Sequence, residues 1–220
     1  MTTFGEADLD CPNCGTGFTV EVLTSTSALG SQTTDFRLTA VGIPPLDGII
    51  HTCPHCGLTG AQETFAEPVG PKLAQFIAEQ VTPLVRNEPP QSWQRFEYAA
   101  IIAKEQGVSR ADIADLYLHA AWCCAARGAP ATGKNEEYYR REAIENFEGA
   151  LAGNEIESES KATITYLVGE LYRRVGEPET AATWFTAAIR LTASDRDGSF
   201  LAELARKQMT APSEMIDHPG

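Results

Sequence analysis

Cys11-Pro12-Asn13-Cys14-Gly15 and Cys53-Pro54-His55-Cys56-Gly57 are two copies of one short pattern. In each copy two residues separate the cysteines, so that both sulfurs can reach one metal ion from a tight turn. The glycine that follows permits the positive φ of such a turn and leaves backbone N–H groups facing the sulfurs. Although the 38 residues between the pairs exceed the usual ribbon spacing, Cys11, Cys14, Cys53 and Cys56 are predicted to bind one structural Zn²⁺ ion.

Two other chemistries also use paired cysteines. A redox pair usually opens a helix after a strand, whereas neither pair here precedes a helical pattern. A catalytic zinc keeps an open position, generally with His or carboxylate ligands, and four cysteines fill the shell. His51 and His55 flank the second pair and are expected to be exposed. A cysteine redox protein therefore stays only as an alternative.

The first third of the chain has the alternation of apolar and polar residues that is typical of strands. Strands are predicted at residues 17–23, 35–41 and 48–52, with a loop over 24–34. These elements form a predicted zinc-ribbon-like domain at residues 1–68. Because it contains few large apolar side chains, we expect zinc removal to unfold residues 1–66 while the helices persist.

Helical periodicity begins at about Pro71 and defines a second predicted domain at residues 71–209. Pro83 and Pro89-Pro90 interrupt the first part of it. Ser92 and Asn135 are predicted to cap two of the later helices. Those later helices are expected at residues 92–106, 110–126, 136–151, 160–175, 177–191 and 197–209. Residues 210–220 are predicted to be a disordered tail.

Residues 162–195 fit one tetratricopeptide unit, a pair of antiparallel helices. Gly169 and Ala181 would let the helices approach, and Tyr172 and Phe185 would fill the space between them. The pattern recurs upstream with about twelve extra residues, where the corresponding positions are Trp122, Ala143, Phe147 and Ala150. The fold class is thus α+β, a four-Cys zinc ribbon followed by a tetratricopeptide-like array of helical hairpins. A helical bundle with coincidental small residues is the alternative.

Charge and composition restrict the function. The chain carries a net charge of −13. Residues 1–70 hold eight acids and one cation, Arg37, which gives −7. A nucleic-acid-associated zinc-ribbon factor is the main alternative function, and this acidity argues against it.

Other sequence signals bear on location and catalysis. No apolar run approaches the roughly 20 residues that cross a bilayer. The first residues lack a cationic cluster followed by an apolar stretch, which predicts a cytoplasmic protein with reduced thiols. No nucleophile–base pattern or phosphate loop stands out, so no enzymatic activity is expected. Cys123 and Cys124 are adjacent on a predicted helix and are expected to pack as small apolar residues.

The order of these features resembles a bacterial family of unknown function, the one numbered 2225. The residues that carry the resemblance are the two Cys-Pro-x-Cys-Gly patterns, Phe18-Thr19-Val20, Thr34-Asp35-Phe36, the stretch 42–45, Phe65 and the stretch 117–122. The resemblance covers nearly the whole chain. It implies zinc-ribbon metal binding, tetratricopeptide-type interaction and no established catalytic activity.

The leading hypothesis is a non-catalytic, zinc-binding interaction module with a protein or peptide partner. Helical repeats form concave surfaces that the first helix of each unit lines. In the second unit the exposed positions are predicted to be Tyr166, Glu170, Arg173 and Arg174. An arginine pair beside an aromatic ring suits an acidic segment or a terminal carboxylate. A solvated face is the alternative, and an array with open ends can also form a homo-oligomer.

Overall fold

A β-hairpin opens the described part of the chain, in a computed structural model that describes residues 2–26, 31–39, 45–86, 88–127, 133–192 and 199–216. Strand β1 (Thr3–Asp10) pairs antiparallel with β2 (Gly17–Ser25), and β1 was not predicted from the sequence. Leu9 is buried while its neighbours Asp8 and Asp10 are exposed, as the period of two requires. The hairpin therefore has an inner apolar face and an outer acidic face.

A second hairpin is much shorter. Strand β3 (His51–Thr52) pairs with β4 (Thr59–Gly60). The strand predicted at residues 48–52 is thus only two residues long, and Gly48 instead ends a 3-10 helix, Pro45–Gly48. A second 3-10 helix, Gln62–Ala66, follows β4.

The strand predicted at residues 35–41 is wrong in its described part, residues 35–39. Residues 33–36 form a turn in which the Phe36 N–H donates to the Thr33 carbonyl at 2.9 Å. Phe36 has a φ of 68°, outside the extended region. Asp35 is buried by side-chain contacts with distant helices, so tertiary contacts override the local alternation. Residues 40 and 41 lie outside the described residues.

Eight α-helices are described, and their bounds agree closely with the periodicity. They are α1 (Pro71–Phe76), α2 (Thr82–Val85), α3 (Ser92–Gln106), α4 (Arg110–Arg127), α5 (Glu136–Ala152), α6 (Lys161–Arg174), α7 (Pro178–Leu191) and α8 (Ser199–Thr210). The predicted cap at Asn135 is confirmed, because its side chain accepts from the Tyr138 N–H. The cap predicted at Ser92 lies one residue earlier, at Gln91.

A π-helical turn, Ile77–Val81, joins α1 to α2. Pro83 has no N–H, so the ordinary helical ladder cannot continue through it. The Ile77 carbonyl accepts from the Thr82 N–H, five residues further along, which is the spacing that defines the π-helical turn. The interruption predicted at Pro83 is therefore a change in helix type as well as a break.

Successive helices from α3 to α8 pack against one another. At the α6–α7 contact Gly169 is essential to the close approach, because an added Cβ would lie 2.9 Å from Phe185 Cδ1. Ala181 and Ala188 are buried on the facing helix. The α+β class with a four-Cys cluster is confirmed, whereas the tetratricopeptide-like character of the array stays a prediction.

The cysteine region and the first helices share one apolar core. Leu58 and Phe65 pack there with Ile77 and Val81 of the π-helical turn and with Tyr98 of α3. A larger core lies between α3, α4, α5 and α6. The third core lies between α6, α7 and α8. The predicted ribbon is thus packed directly on helical residues.

Residues 211–216 correct the prediction of a disordered tail for that stretch. Thr33 and Met215 form an antiparallel β-bridge, and Ile216 is buried against α8. Sequence composition could not reveal this order because it depends on residues about 180 positions away. The predicted disorder at residues 217–220 concerns positions outside the described residues.

Within the described ranges, no helix combines the length and the apolar character needed to cross a bilayer.

Candidate functional site

Two matched turns bring the cysteine pairs together. In the first turn the Cys11 N–H donates to the Thr16 carbonyl at 3.0 Å, and the Gly15 N–H donates to the Cys11 carbonyl at 2.8 Å. The turn that begins at Cys53 repeats both bonds with Leu58 and Gly57, at 2.8 and 3.0 Å. Both glycines have positive φ, 72° for Gly15 and 82° for Gly57. The repeated sequence pattern therefore folds into a repeated backbone shape.

The four sulfurs converge on one point. All of the ligand atoms of Cys11, Cys14, Cys53 and Cys56 lie within 4.8 Å of one another. Two pairs that cross between the turns are closer, with Cys11 Sγ 3.5 Å from Cys56 Sγ and Cys14 Sγ 3.6 Å from Cys53 Sγ. A tetrahedral ion with Zn–S bonds of about 2.3 Å requires sulfurs roughly 3.8 Å apart. The cluster has the donor set and spacing to hold one metal ion.

The thiols differ in their readiness to ionise. Burial opposes ionisation of Cys14, but hydrogen bonds from the Thr16 hydroxyl and backbone lower the pKa of Cys14 to about 6. Burial raises the pKa of Cys11 and of Cys53 in the protein without an ion. A cation at the centre of the cluster would favour all four thiolates. Of these three thiols, Cys14 has the lowest pKa and is the most readily ionised.

Helical residues close the cluster from one side. The Thr82 hydroxyl donates to the Cys56 carbonyl at 2.6 Å. A Cβ added at Gly57 would lie 3.1 Å from Val81 Cγ1 and 3.2 Å from Val85 Cγ2. This contact holds the second turn against α2 and limits the approach of water to its buried sulfurs.

The remaining histidines and cysteines near these elements lie outside the cluster. His51 was expected to be exposed but is buried, and burial lowers its pKa. His55 is exposed, as predicted. Cys123 and Cys124 are buried in the α3–α6 core, which confirms their apolar packing, and burial raises the pKa of each to about 12. Neither thiol is therefore a ready nucleophile.

The four predicted partner-binding residues lie together on α6, but they are not an open surface. Tyr166 and Glu170 are fully buried, and the side chains of Arg173 and Arg174 are 16% and 8% exposed. Their predicted exposure is therefore wrong. The groove is filled by two segments of the same chain, the turn at residues 33–36 and the stretch 213–216.

These residues belong to what is called here the arginine cluster: Arg140, Arg173, Arg174, Asp35, Glu170 and Glu214. Glu170 lies at its centre, where Oε1 accepts from Arg174 Nε at 2.6 Å and from Arg173 Nη2 at 2.8 Å. Asp35 lies 3.7 Å from Arg140 Nη2 and 3.6 Å from Arg174 Nη2. Within the cluster three cations face three carboxylates in a mostly buried site, and Arg140 also pairs with Glu136 of its own helix at 2.5 Å.

The turn at residues 33–36 enters the cluster through its polar groups. The Thr34 hydroxyl donates to Glu170 Oε1 at 2.6 Å, and Tyr166 donates to the Thr34 carbonyl at 3.0 Å. The Trp122 indole N–H donates to Asp35 Oδ2 at 3.0 Å. Sequence reasoning noted Trp122 only as a packing residue and did not connect Asp35 with the helices. The motif Thr34-Asp35-Phe36, which contributes to the family resemblance, was the available signal, but the partner of Asp35 could not be inferred from it.

A polar cavity of about 250 Å³ lies between the first hairpin and the beginning of α3. Arg95, Arg127, Asp47 and Ser92 are among the residues on its wall. Asp47 Oδ1 and the Ser92 hydroxyl are buried and have no hydrogen-bond partner among the described residues. The cavity is large enough for several ordered waters that could satisfy these atoms. It was not anticipated from the sequence.

Comparison with known proteins gives one match. No curated protein and no solved structure matches the chain significantly. The model of one protein family, described as "Uncharacterized protein conserved in bacteria (DUF2225)", matches residues 4–211. The match spans both cysteine pairs and every described helix, and it agrees with the resemblance drawn from the sequence. The chain therefore belongs to this bacterial family.

Proposed function

We propose that the four cysteines bind one structural Zn²⁺ ion and that the protein is a non-catalytic interaction module of the cytoplasm. The convergence of four sulfurs from two matched turns carries the metal part of this proposal. Four thiolates complete a tetrahedral shell and leave no position for a substrate or an activated water. Six free cysteines also suit a reducing compartment.

Zinc is the ion that we expect, although a tetrahedral set of four sulfurs also suits iron. A structural role follows from the surroundings of the cluster. Among the described residues of the first 70, the buried large apolar side chains are those of Leu9, Ile50, Leu58 and Phe65. A structural zinc ion contributes on the order of 10 kcal/mol to folds with so small a core. The ion would fix both turns, and with them the two ends of the segment that carries Thr34 and Asp35.

The interaction part of the proposal is supported by two non-helical segments of the chain that pack on the helices. Residues 31–39 and 211–216 dock on α6 and its neighbours through backbone and side-chain hydrogen bonds. The helices thus present a surface to which irregular polypeptide binds, and a protein or peptide is the proposed partner. The net charge of −7 over residues 1–70 disfavours nucleic acid.

The metal part is tested by measuring the metal content of the purified protein with inductively coupled plasma mass spectrometry. We expect about one zinc per chain in the wild type and in Cys123→Ala, which removes a buried thiol outside the cluster. We expect less than a tenth of that amount in Cys53→Ser. Stoichiometric iron would replace zinc in the proposal, and a folded protein without metal would refute it.

The interaction part needs a separate test, because a zinc clamp does not require a partner. Affinity purification from the source cell, after nuclease treatment, should recover one or more proteins with the wild type. Salt-dependent binding of generic RNA or DNA by the purified protein would instead support the nucleic-acid alternative.

A further inference from the structure

Residues 213–216 are held on the helices in the manner of a bound peptide. The Thr34 N–H donates to the Glu214 carbonyl at 3.0 Å, and the Ile216 N–H donates to the Gln32 carbonyl at 2.8 Å. These two bonds pair the segment antiparallel with residues 32–34. This is the backbone pattern by which extended peptides add to an existing strand edge.

One acidic side chain fixes the position of the segment. The Glu214 carboxylate accepts from Arg173 Nη2 at 2.8 Å and pairs with Arg174 Nη1 at 2.5 Å. Arg174 also donates to the Glu214 carbonyl at 3.2 Å. Two arginines that hold one carboxylate give both charge and geometric selectivity for an acidic residue.

The residues on either side of Glu214 also contact the groove, one through apolar packing and the other through hydrogen bonds to an amide side chain. Ile216 is buried with Tyr166, Leu204 and Ala205. On the other side the Gln208 side chain forms two hydrogen bonds with Ser213, each at 3.0 Å, one to its carbonyl and one from its N–H. The groove therefore accommodates an acidic residue and, two positions later in the sequence, a large apolar residue.

Resting on the proposed interaction role, we propose that this groove is a binding site for an extended acidic segment of a partner protein, which residues 213–216 occupy in the absence of that partner. The partner segment carries Glu or Asp at the position of Glu214 and a large aliphatic residue at that of Ile216. A competitor is expected to displace the segment of the chain itself, since the Glu214 side chain remains 62% exposed and a partner residue of the same chemistry can form the same bonds with Arg173 and Arg174.

Tethering explains why a partner must compete for the site. A segment that follows directly on α8 has an effective concentration of the order of millimolar at the groove. A free peptide of modest affinity therefore binds poorly to the wild type, and it should bind about tenfold more tightly once the internal segment is released.

The test uses the full chain and a labelled peptide with the sequence of residues 211–216, blocked at both ends. Fluorescence anisotropy compares the wild type with Glu214→Ala/Ile216→Ser, which removes both anchors of the internal segment. We expect the double variant to bind the peptide about tenfold more tightly than the wild type does. The same peptide with Gln in place of Glu should lose most of this affinity. Glu179→Ala, which changes an exposed acid on α7, is the matched control and should behave as the wild type.

Metal content and far-UV circular dichroism of each variant separate the possible failures. A folded double variant with its metal that does not bind the peptide, or that binds the Gln peptide equally well, would overturn this inference and leave the zinc proposal intact. If the double variant does not fold, methyl NMR of the wild type decides the question. Millimolar peptide should then shift the Ile216 δ-methyl signal to its released position, and an unchanged signal would overturn the inference.

Discussion

The cysteine cluster and the arginine cluster both hold irregular segments of chain in place, but they balance their charge differently. Four cysteines that become thiolates gather four negative charges beside apolar residues such as Ile77 and Val81. The arginine cluster instead places three cations against three carboxylates of the same chain. The first region would need a cation from outside to balance its charge, whereas the second supplies its own counter-charges.

We therefore expect metal removal to destabilise the cysteine region and to leave the arginine cluster largely intact. The two regions are nevertheless connected, because residues 33–36, in the loop between the cysteine pairs, insert Thr34 and Asp35 into the arginine cluster. If the cluster binds the proposed ion, its loss would loosen both ends of a segment whose middle is still held by buried hydrogen bonds.

The largest expected effect is that of metal removal. Chelation should remove on the order of 10 kcal/mol from the cysteine region and increase amide hydrogen exchange over residues 3–66. Because Ile77, Val81 and Val85 share a core with that region, we expect faster exchange to extend through residues 71–85. Residues 136–192 should stay protected, as measured by hydrogen exchange and mass spectrometry. Unchanged exchange at residues 71–85 would indicate that the ribbon and all the helices are separable.

The next effect concerns the arginine cluster. Glu170→Gln should destabilise the protein by about 3–5 kcal/mol, because it leaves Arg173 and Arg174 buried without their central counter-charge. Urea unfolding followed by circular dichroism measures this loss. Glu157→Gln, at an exposed position, is the control and should change stability by less than about 0.5 kcal/mol. Equal effects from both variants would contradict the central role of Glu170.

A pH-dependent effect is expected at His119, which lies between the rings of Phe96 and Trp122. Burial lowers the pKa of His119 from 6.5 to about 4. Between these values the unfolded chain binds the proton more strongly, so stability is lost as the pH falls, with a slope of at most about 1.4 kcal/mol per pH unit.

Urea unfolding at several pH values should show that His119→Gln removes this contribution. The matched variant His55→Gln, at an exposed histidine, should keep the pH profile of the wild type. A profile that is the same in all three proteins would mean that His119 protonates equally well in the folded and unfolded chains.

The smallest effect tests the close approach of α6 and α7. In Gly169→Ala the new Cβ would lie 2.9 Å from Phe185, and such overpacking costs about 1–3 kcal/mol. The better helix propensity of alanine offsets up to about 1 kcal/mol of this. We therefore expect a net loss of about 1 kcal/mol in urea unfolding. Thr183→Ala, at an exposed position within α7, is the control and should change stability by less than about 0.5 kcal/mol. Similar losses for both variants would contradict tight packing at Gly169.

Sequence patterns predicted correctly those features that depend on interactions between residues close together in the chain. The two residues between paired cysteines and the glycine after them specify the turns, and those turns have the predicted positive φ at Gly15 and Gly57. Helical periodicity placed α3 to α8 within a few residues, because the apolar face and the capping residues lie within one element. Strand β1 was missed, since its sequence mixes acidic residues with glycine and becomes a strand by pairing with β2.

Sequence patterns alone were enough to predict the cysteine quartet, the order of the helices from α3 to α8, and the small residues between α6 and α7. The inward orientation of Arg173 and Arg174 depends on tertiary contacts, because their partners Thr34 and Glu214 lie about 140 and 40 residues away. The pairing of charges over such separations depends on how the chain closes upon itself, and no local periodicity carries that information. For the same reason, the groove that was predicted to be open is occupied by residues 33–36 and 213–216 of the chain itself.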